Sequence, residues 1–386
     1  MIPKGDKMRF FSTKKKQLFD NHTLLFSKQD FIASTLLAFF ILLLPLFSLL
    51  AHTRLSLATA VLFLICIGIR GGGRLPKKDM GVRLYLLFFA TVLAGAFKSE
   101  AGSETLLFSV LMLAGLLPYL YPGCKDVLVR TVSLSGGIFG GMAVLERSLG
   151  HALALWSDKE RFGTLARAGG PFKNPNILGA FLAIAAIFAL DRLLCALKKG
   201  GWSVYALSLL LSVSGLLLTF SRGAWLGAFF GFCLYFLESL APKKDRLFSF
   251  APFFSPVLQR ILSIFSPDSS MSYRFSLWKS VFSLPFTSLL FGVGEGRRAL
   301  LSLLSPVMAA GLEKIEHTHS LYLHILLAEG LLGLLLFLLL IFHRFKKGGS
   351  PAMRAALLSL LFYGIFDDPL YSGQIGVLFW MLVNAN

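Results

Sequence analysis

Three short constellations pair a helix start with residues that can hold an anion or move a proton. The first is Thr219-Phe-Ser-Arg-Gly-Ala-Trp225. Ser221 is placed to cap a helix entering at Arg222. Free N–H groups, the positive end of the helix dipole and the guanidinium fork of Arg222 together suit a phosphate. The competing reading is an arginine that snorkels beside an interfacial tryptophan at a membrane boundary. The second constellation is Lys173-Asn-Pro-Asn176. Asn174 as N-cap with Pro175 at the first helical position is a strong helix start, and capping alone explains Asn174. Lys173 and Asn176 are candidates to line a polar cavity above it.

The third is Glu316-His-Thr-His-Ser-Leu-Tyr322, which runs into a helix carrying Glu329, Gly330 and Gly333. His319 lies at the helix start, where the dipole disfavours imidazolium and keeps the ring neutral and basic. At about 100° per residue Gly330 and Gly333 share its face, which predicts a close helix neighbour there. His324 is predicted to point away and to serve packing. His317, Tyr322 and Glu329 are secondary candidates, with Ser221, Lys173 and Asn176. The His-x-His pair lacks the HExxH spacing and an obvious third ligand, so no metal is expected. Arg274, in Tyr273-Arg-Phe-Ser-Leu-Trp278, stands apart. It is either a solvated loop charge or the second cation that a diphosphate needs. Gly292-Val-Gly-Glu-Gly296 is a Gly-rich turn that does not follow a strand in a βαβ unit, so a nucleotide-binding reading is poor.

The elements that must carry these residues are membrane helices. The chain has 386 residues, 55% of them hydrophobic, yet a formal net charge of +18. Nucleic-acid binders are rarely so apolar, so no nucleic-acid partner is expected. The composition is that of a polytopic membrane protein. Cys66, Cys124, Cys195 and Cys233 are scattered and form neither a disulfide framework nor a zinc site. Apolar runs of spanning length sit near 31–50, 55–69, 81–97, 104–121, 127–149, 175–194, 202–220, 223–240, 319–342, 352–367 and 370–385. The basic lead over 1–30 is too long for a removable signal and sets the N-terminus inside. The later clusters, at 70–83, Lys125/Arg130, Arg192/Lys198/Lys199, 243–246 and 344–347, then all fall inside. Parity between the last two demands one more crossing, best placed at 247–265 despite its prolines; a re-entrant piece within 275–293 is the rival.

The predicted fold is therefore all-α, with about twelve transmembrane helices and both termini inside. The divisions are a basic N-terminus (1–30), helices one to nine (31–265), one large outer loop between the ninth and tenth spans (266–318) and helices ten to twelve (319–386). All three constellations fall on the outer face. The basic excess falls overwhelmingly on the inner side, as an orientation signal and an attraction to anionic lipid.

The ordered set NPN (174–176), TFSRGAW (219–225), YRFSLW (273–278), LFGVGEG (290–296), HTHSLYL (317–323), AEGLLG (328–333) and a late DDPL (367–370) resembles the O-antigen ligase and polymerase family. The resemblance covers roughly 170–370, and the N-terminal helices match only in hydropathy. It implies a GT-C-type membrane glycosyltransferase of the bacterial inner membrane that works at the outer leaflet without cofactor or metal. Its partners would be a polyprenyl-diphosphate-linked glycan donor, a glycan, glycolipid or other hydroxyl acceptor, and membrane lipid. The resemblance gives Arg222 and Arg274 the diphosphate and His319 the activation of the acceptor. The family commonly has Asn directly after this His; here Ser320 stands there, so the partner that orients His319 is not supplied. Arginines that stabilise a diphosphate leaving group and one neutral base at the hydroxyl are compatible with direct, inverting transfer. The ligase and the polymerase differ in acceptor. A transporter or flippase, the alternative from another class, would need paired broken helices and mid-membrane charges.

Overall fold

The computed structural model describes residues 28–50, 52–76, 78–98, 102–121, 123–149, 161–162, 165–197, 202–240, 269–305 and 317–385. The crossing expected at 247–265 lies outside them. The helices are α1 (Lys28–Leu43, continued as 3-10 helix over Leu44–Leu49), α2 (Thr53–Arg70), α3 (Met80–Gly95), α4 (Gly102–Met112), α5 (Leu117–Leu120), α6 (Cys124–Ser148), α7 (Pro175–Leu197), α8 (Ser203–Leu218), α9 (Arg222–Leu240), α10 (Ser269–Phe282), α11 (Phe286–Phe291), α12 (Arg297–Leu304), α13 (Leu321–Lys347), α14 (Pro351–Phe366) and α15 (Gly373–Ala385). A two-residue antiparallel pair joins β1 (Arg161–Phe162) to β2 (Leu165–Ala166). Each apolar run expected outside 247–265 coincides with a helix. Among the described residues six segments are long and apolar enough to cross a membrane: Phe31–Leu49, Thr53–Arg70, Gly102–Leu120, Cys124–Ser148, Pro175–Leu197 and Leu321–Lys347. Others, such as 80–95 and 203–218, are apolar but shorter. Large hydrophobic side chains stand outward on several of them, among them Phe63, Leu210 and Phe342. Lipid satisfies such a surface, and helices hold their own backbone hydrogen bonds within it.

α15 is the exception to that pattern. It has 13 residues, all of them buried, and at 1.5 Å per residue it rises only about 20 Å, short of the ~30 Å hydrocarbon core. Protein surrounds it, so its length need not match the bilayer. Trp380 is its anchor, packed against Tyr85, Phe88, Phe337 and Phe379. On the other side of the bundle α6 and α8 meet through small residues. The Cα of Ser208 comes within 3.0 Å of where a Gly137 side chain would begin, so the two backbones pack directly.

The end of the bundle away from His319 is locked by a charge. The Arg344 side chain is only 1% exposed, and its guanidinium reaches Asp79 at 3.6 Å, Tyr119 Oη at 2.8 Å and Asn384. Gly81 makes this possible, because a side chain there would collide with the Arg344 guanidinium. Lys347 also pairs with Asp79. Burial alone would raise the Asp79 pKa, but the hydrogen bond from Lys347 and the charge of Arg344 hold it below the usual carboxylate value. Removing one member of such a buried set strands the others. Arg344→Met should therefore cost about 3–5 kcal/mol, read as a lower thermal midpoint in detergent. An unchanged midpoint would show that the lock contributes no stability.

Candidate active site

Among the described residues three non-glycine positions have positive φ: Lys173 (56°), Phe220 (49°) and His319 (52°). One falls in each of the three constellations. A left-handed backbone with a side chain costs about 1–2 kcal/mol, and residues held that way concentrate where chemistry is done.

The first two constellations share one end of the bundle. Asn174 caps α7, its Oδ1 accepting from Asn176 N at 2.8 Å and Ile177 N at 3.3 Å. Arg167, which no sequence signal marked, donates to Thr219 O at 2.9 Å and to Asn176 Oδ1 at 2.7 Å. It ties the strap before α7 to the turn between α8 and α9. α9 starts at Arg222, directly after the buried Ser221, whose carbonyl accepts from Trp225 N at 3.0 Å. The Trp225 indole is held by Leu216 O at 2.9 Å. Gly223 lies on the last turn of α14, with Tyr363 and Phe366 at 3.5 and 3.7 Å from its missing side chain. Arg222 is thus set one residue from the chain that leads into Asp367. Lys173 is exposed, and Asn176 is engaged with Arg167.

Asp367 is the centre of the third constellation. It ends α14 in an extended conformation and is 6% exposed. Its Oδ1 faces His317 Nε2 at 3.1 Å and His319 Nδ1 at 3.4 Å, and accepts from Asp368 N at 2.9 Å. Its Oδ2 faces Arg274 at 3.8 Å. Arg274 is delivered by α10, which is fastened here by Trp278 Nε1 donating to Thr318 O at 3.0 Å and by the Tyr273 ring, 5.9 Å from that of His319. The His317 and His319 rings lie 4.1 Å apart, and Tyr371 stacks on His317 at 4.2 Å. Burial alone would raise the Asp367 pKa, yet hydrogen bonds from both histidines and the Arg274 charge hold it well below the carboxylate range. Burial lowers the His319 pKa below the imidazole value, against the pull of Asp367. The pair is therefore carboxylate and neutral imidazole. A carboxylate facing Nδ1 fixes the proton there, which makes Nε2 the basic nitrogen.

Asp367 was missed by sequence reasoning, although it opens the DDPL segment. It is Asp367, and not residue 320, that faces His319 Nδ1; the Ser320 backbone N and O are engaged by the Thr318 hydroxyl. Asp367 also corrects the expectation that a third metal ligand is lacking. His317, His319 and Asp367 offer ligand atoms within 4.8 Å of one another. Two observations fit a metal poorly. Asp367 Oδ2 already faces a guanidinium, and His317 Nδ1 is buried without a partner among the described residues, whereas a ligating imidazole usually donates its other nitrogen.

Three further expectations are corrected. His324 is not a packing residue. It bridges Glu295 at 2.6 Å and Asp368 at 3.0 Å, in a buried group that Glu329 completes. Gly330 does not continue a helical face, since at φ 73° it breaks α13. The carbonyls freed there are taken by the GVGEG turn, with Val293 N donating to Leu327 O at 2.9 Å and Gly294 N to Ala328 O at 2.8 Å. Glu329 and Tyr322 lie away from the His319 cluster. Glu329 sits near Gly95, and the Tyr322 hydroxyl donates to Leu361 O at 3.1 Å.

Residues 207–338 match the family model described as O-antigen ligase. None of the curated proteins matches the chain. The matched stretch carries Arg222, Arg274, His317 and His319, whereas Asp367, Arg167 and Asn176 lie outside it. With the long apolar helices it makes the chain an integral membrane protein.

Proposed function

We propose, from the match of residues 207–338 to the O-antigen ligase family model, that the chain transfers a glycan from a polyprenyl diphosphate to a hydroxyl acceptor, with inversion and without a metal. The observation that carries this reading is the Asp367–His319 pair with Arg274 on the second carboxylate oxygen. His319 Nε2 takes the proton of the acceptor hydroxyl as that oxygen attacks the anomeric carbon. The bond to the diphosphate breaks, and the leaving anion is met by Arg222 at the start of α9 and by Arg274. Asp367 orients His319 and stabilises the imidazolium that forms, as the third group does in other nucleophile–base–orienter sets. His317 helps to position Asp367, and Arg167 with Asn176 supports the turn that presents Arg222.

The site is assigned to the outer face of the bacterial inner membrane, with both termini cytoplasmic. Basic residues gather at the opposite end of the helices, in Arg70, Arg74, Lys125, Arg192, Arg344 and Lys347, and such clusters stay inside. The test is a proteoliposome assay with a polyprenyl-diphosphate oligosaccharide and candidate acceptors. Arg274→Ala and Arg222→Ala should each lower turnover on the order of a hundredfold, and EDTA should leave it unchanged. Wild-type turnover in both variants would remove the diphosphate assignment, and loss with EDTA would restore a metal. Sugar appearing on a lipid other than the polyprenyl carrier marks a ligase, and transfer onto the glycan of a second polyprenyl diphosphate marks a polymerase.

A further inference from the structure

A cavity of about 450 Å³ lies against the far side of the histidine cluster. Its size is that of a small-molecule pocket, roughly 300–1,000 Å³. Arg54, Glu104, Phe108, Glu295, Tyr371 and Gln374 are among its walls. Tyr371 is the partition, with His317 stacked on it at 4.2 Å and the Arg54 guanidinium 5.1 Å from its ring centre. Arg54 also donates to Tyr371 O at 3.1 Å. The diphosphate arginine Arg274 reaches the other oxygen of Asp367, the one the histidines do not use. The cavity therefore borders the imidazole side of the cluster.

Its chemistry separates it from a phosphate site. Its two basic side chains are already engaged, Arg54 with Tyr371 O at 3.1 Å and His324 with Glu295 at 2.6 Å, so neither is presented to a diphosphate. Carboxylates accept two hydrogen bonds side by side, and a carboxamide both donates and accepts. With hydroxyls from Thr53 and Ser372 and the edge of Phe108, such a wall suits a neutral polyhydroxyl compound. We propose that this cavity is a saccharide subsite in which Glu104, Arg54 and Gln374 read sugar hydroxyls; that the sugar is part of the acceptor, anchored behind Tyr371 while another of its residues meets His319, rests on the reaction proposed above. These three residues lie outside the matched stretch 207–338, so proteins that share that stretch can differ in the sugar they accept.

The test uses the full chain in nanodiscs, with lactose and chitobiose as neutral disaccharide probes and saturation-transfer NMR as the readout. The wild type should give a saturable signal that pyrophosphate does not displace. Thr53→Trp, which fills the cavity without touching Asp367, should abolish it. Glu104→Gln, which keeps the shape, should weaken binding about tenfold, the effect of one charged hydrogen bond. No wild-type signal, equal signals in all three proteins, or displacement by pyrophosphate would overturn the subsite. In the transfer assay Glu104→Gln should raise the acceptor KM and leave the donor KM unchanged; a rise in the donor KM instead overturns the acceptor assignment. A protein that binds the disaccharides here yet transfers no glycan would sink the reaction and leave the subsite standing.

Discussion

Replacing His319 with alanine should lower turnover about a hundred- to ten-thousandfold, the range of a positioned base, with the thermal midpoint little changed. Asp367→Asn should lose on the order of a hundredfold, and the pH profile tells the two losses apart. The wild-type base must be neutral, and burial lowers its pKa below 6.5. Activity should therefore persist as pH falls to 6.5 and disappear only below it, as the lowered pKa is crossed. Asp367 favours the imidazolium, so its removal lowers the His319 pKa further. In Asp367→Asn the acid limb should move to still lower pH under a reduced plateau, and raising the pH should restore nothing. What is lost is the tautomer and the ring orientation, because the ring is neutral in both proteins at pH 7. A limb that moves to higher pH in the variant would overturn this role for Asp367.

Gly330→Ala should be severely damaging for a change of a single methyl group, costing about 3 kcal/mol or more. The backbone there has φ 73° and ψ −175°, a region almost reserved for glycine. A side chain would also begin 2.7 Å from Phe291 C and 2.9 Å from Gly292 N. Both atoms belong to the backbone of the turn that satisfies the freed α13 carbonyls, and neither can move aside. Gly141, inside α6, is the control, since its nearest contact would be Leu211 Cδ1 at an ordinary 3.5 Å. Gly141→Ala should be neutral or stabilise by up to about 1 kcal/mol. Unfolding midpoints in detergent compare the two. Turnover should fall in Gly330→Ala as well, because the displaced turn carries Glu295, which holds His324 and through it Asp368. Equal midpoints for the two variants would show that the break in α13 is not required.

How much of this was legible in the sequence depends on how far apart the cooperating residues lie. The helices follow from apolar runs, and the helix starts follow from Asn174-Pro175 and Ser221-Arg222, where cap and first turn are neighbours. His319 was legible for the same reason. Asp367 was not, because it lies beyond two helices and its own neighbourhood shows only a pair of acids after an apolar run. Arg167 sits in a polar stretch with no periodicity. His324 was misread because a face argument concerns one helix alone, whereas its two partners arrive from the turn at 295 and the loop at 368. Gly330 was read as a packing residue, since periodicity carries no record of a left-handed backbone.

The late arrival of Asp367 and Tyr371 has a consequence for biosynthesis. Chains are made from the N-terminus, and domains organise as they emerge. Arg222, Arg274 and His319 are all inserted before α14 exists. Until residues 367–371 follow, His319 lacks the Asp367 carboxylate that faces its Nδ1, and the cavity has no wall on its Tyr371 side. On the reaction proposed above, a nascent chain that holds every residue of the matched stretch still lacks the carboxylate that orients its base. For the reaction proposed above, the site is complete only once residues 367–371 have been made, when Asp367 reaches the histidines and Tyr371 closes the cavity.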